Sequence, residues 1–295
     1  MVKLTIITPT YNRAHTISRC YESLLQQSNT EFEWIVVDDG STDETQELFS
    51  TFNTDRFPVI KLHKANGGKH TALNAAHPHI HGEYVLILDS DDYLVKTAVE
   101  EVLKAWERFD NDESVGIVTF LKGISEDQPV CTVADYDTPV DIMRYRRQKH
   151  YGSDCCEVIR TELFRKYPFP VFEGEKFLSE CALWNRVSFT HQCVYINRVI
   201  YICEYREDGL TKAGRSLRIR NPHGGMFISE LRTDRKNFAL QRIKYALLYD
   251  CYGFFAKVSP KIMIRNCRSS GLVTLFLPAA FLLYRFWKRK YDVVE

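Results

Sequence analysis

The stretch YVLILDSDDYL, residues 84–94, runs from an apolar segment directly into three acids, Asp89, Asp91 and Asp92. Five mostly branched apolar residues in a row are typical of a strand that is covered on both faces, as in a parallel sheet. Carboxylates crowded at the end of such a strand repel one another unless a cation neutralises them. The stretch therefore predicts an α/β sheet and a charged site at one strand end.

Short apolar runs alternate with segments of helical period through the first 120 residues. The runs that predict strands lie at 4–8, 32–39, 58–63, 84–88 and 115–120. The segments that predict helices lie at 16–27, 41–52 (with a Ser/Thr cap), 70–79 and 94–108. This alternation predicts a mostly parallel sheet with helices on both faces. Further along, we expect a helix from Ser179 and a strand over 193–205 to extend the sheet and form the other wall of a cleft.

Charge and cysteine content limit the functional classes. The formal net charge is +1, but residues 251–291 carry eight Lys or Arg and no acid, so the preceding chain sums to about −5 by the same count. The nine cysteines have no regular spacing and no CxxC pair, which argues against a disulfide framework and a zinc site. No export signal is expected, because the first apolar run is too short. A reduced, cytosolic environment fits best.

Four polar segments are expected to meet at one rim of the sheet, because ligands of open parallel sheets bind beyond the carboxyl ends of the strands. They are TPTYNR (8–13), DDGSTD (38–43), NGGKHTALN (66–74) and DSDD (89–92). The two glycines before Lys69 predict a phosphate cradle, and Asp89 with Asp91 predicts a divalent-cation site. Each segment alone also fits a plain turn, a solvated lysine or an acidic turn in which Asp92 caps the next helix.

The segments TIITPTYNR, QQSNTEFEWIVVDDGSTDET, NGGKHTALNAA and GEYVLILDSDDYL together resemble the family 2 glycosyltransferases of bacterial polysaccharide assembly, over residues 1 to about 110. The resemblance implies a GT-A fold, Rossmann-like, to which the basic C-terminal segment is expected to add amphipathic helices. It also implies an inverting, metal-dependent transfer of a hexose or N-acetylhexosamine from a UDP-sugar. The domains would be a nucleotide-sugar half (1–110), an acceptor half (111–235) and a helical, membrane-associating region (236–295).

The resemblance also implies roles for single residues. Asp39 would accept the uracil N3 proton, Tyr11 would offer a face to the ring, and Lys69 would lie near the diphosphate. Asp89 would meet the ribose, and Asp91 would bind Mn²⁺ or Mg²⁺. The complete set expected to bind the donor is Thr8, Pro9, Tyr11, Asn12, Arg13, Asp39, Lys69, Asp89 and Ser90, with Asp91 on the metal.

The candidates for the general base lie in EGEKFLSECALWNR, residues 173–186. Ser179 fits an N-cap, which places Glu180 in the first helical turn, where it is either the base or merely a dipole-stabilised acid. The family has an acidic pair before this helix, whereas this chain has Glu180 and Cys181, so Glu175 and Glu173 stay open as alternatives. Further candidates for the site, each also explained as ordinary surface, are Arg206, Thr211, Lys212 and His223.

The C-terminal run GLVTLFLPAAFLLY, residues 271–284, is uncharged and is followed by RFWKRK. Fourteen residues are too few to cross a bilayer core, which takes about 20 in a helix. The basic and aromatic flanks favour an interfacial helix on anionic lipid over a helix docked on the protein, and a nucleic-acid partner is not expected. We therefore expect a peripheral protein on the inner face of the plasma membrane, with a lipid-linked or oligosaccharide acceptor.

Two other enzyme classes share this architecture. A sugar nucleotidyltransferase needs a Gly-rich, Arg-containing loop after the first strand, and a dinucleotide oxidoreductase needs GxGxxG there. TPTYNR is neither. A catalytically silent sugar-nucleotide-binding partner subunit remains an alternative. Cys155 and Cys156 are interpreted as buried thiols and not as nucleophiles.

Overall fold

A computed structural model describes residues 1–133, 136–145, 154–204 and 210–291 of the chain. The chain divides into two compact units. The first consists of Met1–Phe169 and Val187–Tyr205, and the second of Pro170–Arg186 and Arg206–Glu295.

The first unit is built on one sheet, and the described residues contribute ten strands to it. In chain order they are β1 (Leu4–Thr10), β2 (Phe32–Asp38), β3 (Val59–His63), β4 (Tyr84–Ile87), β5 (Tyr93–Leu94), β6 (Val115–Ser125), β7 (Gln128–Pro129), β8 (Pro139–Val140), β9 (Cys155–Arg160) and β10 (Gln192–Ile202). The spatial order is β3-β2-β1-β4-β9-β6-β10-β5, with β7 paired to β6 and β8 to β10.

The strands β3, β2, β1 and β4 are all parallel, as the sequence predicts. Every residue of β1, β2 and β4 is buried, as is typical of strands that are covered on both faces. The other half of the sheet is mixed: β9 runs antiparallel to both β4 and β6, and β10 runs parallel to β6. The parallel half thus carries all four segments expected at the rim.

The described residues also form twelve α-helices. They are α1 (Ile17–Leu25), α2 (Thr45–Thr51), α3 (Lys69–Ala76), α4 (Ala98–Glu107), α5 (Ile142–Tyr145), α6 (Thr161–Lys166), α7 (Cys181–Val187), α8 (Leu210–Arg220), α9 (Pro222–Arg232), α10 (Ala239–Phe255), α11 (Pro260–Asn266) and α12 (Ser270–Lys290). A 3₁₀ turn, His77–His79, completes the predicted helix 70–79.

Two helices begin later in the chain than the sequence predicts. Leu94, expected to open a helix over 94–108, lies with Tyr93 in β5, which pairs antiparallel with the end of β10. Asp92 therefore caps nothing, because α4 begins only at Ala98. Likewise α2, expected from residue 41, begins only at Thr45, and its N-cap residue Glu44 forms no side-chain cap hydrogen bond.

The core of the parallel half contains one polar contact that fixes β1 against β2. The indole Nε1 of Trp34 donates a hydrogen bond of 2.9 Å to Thr8 Oγ1, and both side chains are fully buried. Two positions along the same strand, Thr10 Oγ1 is also buried but has no hydrogen-bond partner among the described residues. The two threonines therefore differ in one respect, the hydrogen bond.

This difference predicts opposite outcomes for the same substitution. Thr8→Val leaves the buried Trp34 N–H unpaired and should lower the free energy of unfolding by about 1–3 kcal/mol. Thr10→Val removes a hydroxyl that has no partner and should be neutral or stabilising. Urea denaturation of both variants measures the effect; equal destabilisation would contradict the assignment.

The second unit is helical. Helix α10 packs against α9, α11 and α12 around a core that includes Tyr249, Tyr252, Met263 and Trp287. A Cβ on Gly253 would lie 2.0 Å from the Met263 Sδ, so only glycine allows this close approach of α10 and α11.

Helix α12 has two opposite apolar faces. Val273, Ala280 and Trp287, seven residues apart, are buried against the unit's own core, and α12 continues through Pro278, a residue type that usually interrupts a helix. This packing outweighs the hydrogen bond that proline removes. A second set is exposed and lies opposite the buried face: Leu275, Leu282 and Phe286. In the part of the chain that the structure describes, α12 alone is long and apolar enough to cross a membrane by length and composition.

Asp250 is a buried carboxylate on α10. Neither of its oxygens has a hydrogen-bond partner among the described residues, and the side chain is fully buried. Burial raises the pKa of Asp250 from 3.8 to about 7. The folded state therefore holds this proton more tightly than the unfolded chain, and stability falls as the pH rises from about 4 to about 7.

Asp250→Asn should remove this pH dependence. At pH 8 the variant is expected to be more stable than the parent, by up to about 4 kcal/mol at roughly 1.36 kcal/mol per pKa unit. The advantage should shrink as the pH is lowered towards 5, because the parent carboxyl then takes up its proton. Chemical denaturation at several pH values measures this, with the exposed Asp55→Asn as control. A difference that stays constant with pH would contradict it.

Candidate active site

The loops that follow β1 and β2 are joined by hydrogen bonds. The backbone N–H groups of Asn12, Arg13 and Ala14 donate to Ser41 Oγ (2.9 Å), Thr45 Oγ1 (2.9 Å) and Asp43 Oδ2 (3.2 Å). In return, the Thr42 N–H donates to Asn12 Oδ1 at 2.8 Å. The hydroxyls expected to cap α2 are therefore used to hold the loop after β1 in place.

The expected donor-binding residues of the first loop divide into two groups. Thr8 and Pro9 lie inside β1 and are buried, because the strand runs on to Thr10. The loop itself begins at Tyr11, whose side chain is 45% exposed. Asn12 has a φ of 51°, a left-handed conformation that asparagine tolerates, and this turns the chain at the rim. Of these residues, only Tyr11 presents an exposed ring.

The two acids after β2 have different partners. Asp38 accepts hydrogen bonds from Ser41 and from His63 Nδ1, the latter at 2.6 Å. Asp39 accepts four: its Oδ1 from Lys64 Nζ (2.6 Å) and Gly67 N (3.0 Å), its Oδ2 from Asn66 Nδ2 (3.2 Å) and Gly68 N (2.6 Å). Both carboxylates are almost completely buried.

Asp39 thus fixes the Gly-Gly loop that precedes α3. Gly68 has a φ of 93°, which glycine adopts without strain, and its backbone N–H points to the carboxylate. Since a carboxylate has about four acceptor positions, Asp39 has none left for a further donor. A uracil N3 proton would have to replace one of the four donors.

The DSDD segment is held by cations and by a tyrosine. Lys69 Nζ forms an ion pair with Asp89, and Arg13 Nε lies 3.8 Å from Asp91 Oδ2. The Tyr201 hydroxyl accepts a hydrogen bond from Asp89 N (3.0 Å) and donates one to Asp92 Oδ2 (2.8 Å). The four segments expected at the rim are therefore brought together.

The acids of this segment have opposite electrostatic environments. Burial acts to raise the pKa of Asp89, but the ammonium groups of Lys69 and Lys122 outweigh it and hold that pKa below its usual range. Burial and the nearby Asp89 raise the pKa of Asp92 to about 7. Asp92 is consistent with a structural acid, since it accepts hydrogen bonds from Tyr201 and from the Glu204 N–H at 3.1 Å.

A divalent cation fits the DSDD segment if the protein provides only one of its ligands. The described residues contain no group of three or more His, Cys, Asp or Glu side chains that could form a complete metal cage. Asp91 is one-fifth exposed at its side chain, and its pairing with Arg13 is long. A cation that takes one carboxylate from the protein and its other ligands from water and phosphate suits Asp91, as is common for Mg²⁺. Ser90 is buried beside it.

The candidate bases lie in the second unit. Glu175 is buried and caps the start of α9: its Oε1 accepts from His223 N and Nδ1 (2.7 and 2.8 Å), and its Oε2 from Gly224 N (2.9 Å). Glu175 and His223 therefore have a structural role in each other's placement. Glu180 precedes α7, and its carbonyl accepts the N–H groups of Leu183 and Trp184. Glu173 is exposed.

Several sequence expectations do not bear on the site. Arg206 lies outside the described residues, as do the side chains of Thr211 and Lys212. Cys155 and Cys156 are buried in β9, and all nine cysteines are free thiols, as expected.

Sequence reasoning missed four residues that hold the rim: Lys64, Lys122, Tyr201 and Arg19, whose Nη2 donates to the Asp91 carbonyl at 2.6 Å. Lys64 lies two residues before the Asn-Gly-Gly motif, and that proximity was a usable signal. The other three come from α1, β6 and β10, and no local pattern links them to DSDD.

The first unit has a parallel α/β half, and the carboxyl ends of its strands carry acid pairs and a Gly-Gly loop. These features place it in the class of GT-A glycosyltransferase domains. The family model "Glycosyl transferase family 2" matches residues 5–168, more than half of the chain. The chain belongs to glycosyl transferase family 2.

Individual relatives agree with this assignment. The chain is 33% identical to glycosyltransferase GlyG of Streptococcus pneumoniae over 71% of this chain and 73% of that protein. It resembles the crystal structure of S. aureus TarS 1-349 in complex with UDP-GlcNAc, with a TM-score of 0.57, 21% identity and coverage of 99% and 92%. It also resembles mannosyltransferase PcManGT of Pyrobaculum calidifontis in complex with GDP-Man and Mn²⁺, with a TM-score of 0.57, 19% identity and coverage of 98% and 84%.

Other curated relatives are much longer than the region of similarity. The first seven of them match this chain over only 10% to 22% of their own length. The similarity is thus to one domain of larger proteins.

Proposed function

We propose that the chain is an inverting glycosyltransferase that moves a hexose or N-acetylhexosamine from a UDP-sugar to a hydroxyl of a saccharide acceptor. The observation that carries the proposal is the rim of the first unit, where Asp89 and Asp91 each face a cation, Lys69 and Arg13. TarS supports the choice of donor, because one of its structures holds UDP-GlcNAc.

The rim has the groups that a nucleotide diphosphate needs. Tyr11 has an exposed ring on which a base can stack. Lys69 and Arg13, which pair with Asp89 and Asp91, place two cationic side chains at the rim, and both can also bind phosphate oxygens. Asp39 contributes by fixing the Gly-Gly loop and accepts the uracil only if it exchanges one of its four donors.

A divalent ion, Mn²⁺ or Mg²⁺, would be held by Asp91 together with the diphosphate. When bound, such an ion stabilises the negative charge that develops on the leaving nucleotide. The complex of PcManGT with GDP-Man and Mn²⁺ supports a metal in this fold. The protein's own part is to keep Asp91 in position, which the hydrogen bond from Arg19 to its carbonyl achieves.

Glu180 is proposed as the general base. Its rival Glu175 is buried and accepts three hydrogen bonds from the start of α9, which favours Glu180 and Glu173 over it. A carboxylate suffices as base if the acceptor hydroxyl loses its proton late, when the attacking oxygen has become acidic. A single displacement opposite the leaving group inverts the anomeric carbon, so an α-linked donor gives a β-glycoside.

Two substitutions separate donor binding from transfer. Asp91→Asn should lower UDP binding in the presence of Mn²⁺ and reduce transfer by roughly 10²-fold or more, because it removes the proposed metal ligand. Glu180→Gln should leave UDP binding unchanged and reduce transfer by about 10²–10⁴-fold, because it removes only the base. UDP release from a panel of UDP-sugars, with Mn²⁺ and membrane extract as acceptor source, measures transfer, and calorimetry measures UDP binding.

Controls decide between the alternatives. The exposed Asp55→Asn should match the parent in both assays. A loss caused by Glu173→Gln, but not by Glu180→Gln, would move the base to Glu173. UDP binding without turnover of any donor, unaffected by Glu180→Gln, would indicate the catalytically silent partner subunit instead.

We further propose that the protein acts at the inner face of the plasma membrane, on a lipid-linked acceptor in cell-surface polysaccharide synthesis. The support is helix α12, whose exposed Leu275, Leu282 and Phe286 lie on one stripe opposite its buried face. The basic residues Arg285, Lys288, Arg289 and Lys290 follow at its end. An apolar stripe with flanking cations is the pattern of a helix that lies on anionic lipid.

Replacing Leu275, Leu282 and Phe286 by serine should abolish membrane binding without unfolding the unit, because all three side chains are exposed. In sedimentation with vesicles of phosphatidylcholine and phosphatidylglycerol, the triple variant should bind at least roughly tenfold more weakly than the parent. Leu240→Ser, at an equally exposed leucine outside α12, is the matched control. Unchanged binding of the triple variant, or no binding of the parent, would refute the membrane role of this stripe.

A further inference from the structure

The second unit contains a cavity of about 190 Å³ with a strongly basic lining. Four cationic side chains contribute to it: Arg215, Arg218, Arg232 and Lys244. None of the described residues that line the cavity is an acid. The remaining wall is aromatic, aliphatic or small and polar, and includes Phe177, Tyr245, Leu248 and Tyr252.

The four cations are held without carboxylates. In the part of the chain that the structure describes, none of them forms an ion pair with an acid. The Arg215 guanidinium instead lies 4.3 Å from the ring centre of Trp287, and Arg232 donates a hydrogen bond to the Tyr245 hydroxyl. The Nε of Arg232 is buried and has no hydrogen-bond partner among the described residues.

This arrangement favours an anion. Like charges around one concave surface repel, and a bound anion removes that repulsion while it satisfies unused N–H donors. Arginine presents its donors as a planar fork that matches the oxygens of phosphate. The cavity therefore has the chemistry of a phosphate site, with an apolar wall for the group that the phosphate carries.

The cavity also adjoins the proposed base in sequence. Ser179 and Cys181, the residues on either side of Glu180, both line it. A molecule that enters the cavity is therefore held next to the segment that carries Glu180.

We propose that this cavity binds the phosphate group of a phosphate-bearing acceptor. The proposal rests on the proposed glycosyltransferase function and specifies its acceptor: a saccharide or lipid that carries a phosphate ester. The phosphate contacts Arg218, Arg232 and Lys244, and the adjoining part of the acceptor lies along Tyr252 and Leu248. The donor diphosphate has its own cations, Lys69 and Arg13, in the first unit.

The test uses the full-length chain and measures binding directly by calorimetry. The probes are inorganic phosphate, glycerol 1-phosphate and decyl phosphate, with decyl maltoside as a neutral probe of the same chain length. The double variant Arg218→Gln, Lys244→Gln removes two exposed cations. Arg220→Gln, at an exposed cation on the same helix that does not line the cavity, is the matched control.

The parent and Arg220→Gln are expected to bind the phosphate probes equally, and the double variant roughly tenfold or more weakly, as for the loss of charge-assisted hydrogen bonds. Decyl maltoside should bind all three proteins alike. If decyl phosphate binds much more tightly than glycerol 1-phosphate, the phosphate belongs to a lipid. Equal binding of the two identifies a soluble phosphosaccharide.

Three results would overturn the inference: no phosphate probe binds, the double variant binds them like the parent, or Arg220→Gln weakens them equally. A fourth is a loss of UDP binding with Mn²⁺ in the double variant, because the cations would then serve the donor. Failure of the proposed function is a separate result. In that case no UDP-sugar is turned over, while the phosphate probes still bind and still distinguish the variants.

Discussion

The structure of the rim depends on one constraint: every carboxylate at a strand end must be matched by a cation or by several N–H donors. A buried carboxylate without such partners takes up a proton instead. His63 faces Asp38, Lys64 faces Asp39, and Lys69 faces Asp89. The same constraint joins the loops to each other, because the partners come from different segments of the chain. The rim is therefore ordered by its own charges before any ligand arrives.

The matched acids differ in how easily their partners can be exchanged. Asp39 is buried and has four donors, two of them backbone N–H groups that cannot move without the loop. Asp91 is partly exposed, and its cation lies 3.8 Å away. The cost of replacing a partner is accordingly high at Asp39 and low at Asp91. This contrast assigns Asp39 to the permanent framework and leaves Asp91 as an acid that a ligand can reach.

The sequence predicted the parallel half of the sheet well, because apolar runs bounded by turn residues are a local signal. It also identified all four loops of the rim, since their polar residues follow directly after strands. What it could not predict were partners distant in the chain, such as Tyr201, 112 residues from the Asp89 N–H that it binds. The same holds for β5: two residues join a strand only because β10 offers them backbone partners. The role of Glu175 was equally hidden, because its donors come from α9, 48 residues later.

The two candidate binding regions of the chain have opposite charge. The rim of the first unit presents acids that are paired with cations, which suits the proposed donor with its own positive ion. The cavity of the second unit presents cations without acids, which suits a ligand that is itself negative. The proposed donor with its metal ion and the proposed acceptor with a phosphate ester would satisfy these two requirements separately. Electrostatic complementarity of this kind selects partners more than it adds affinity. On the two assignments proposed above, each unit would discriminate between donor and acceptor by the sign of its charge.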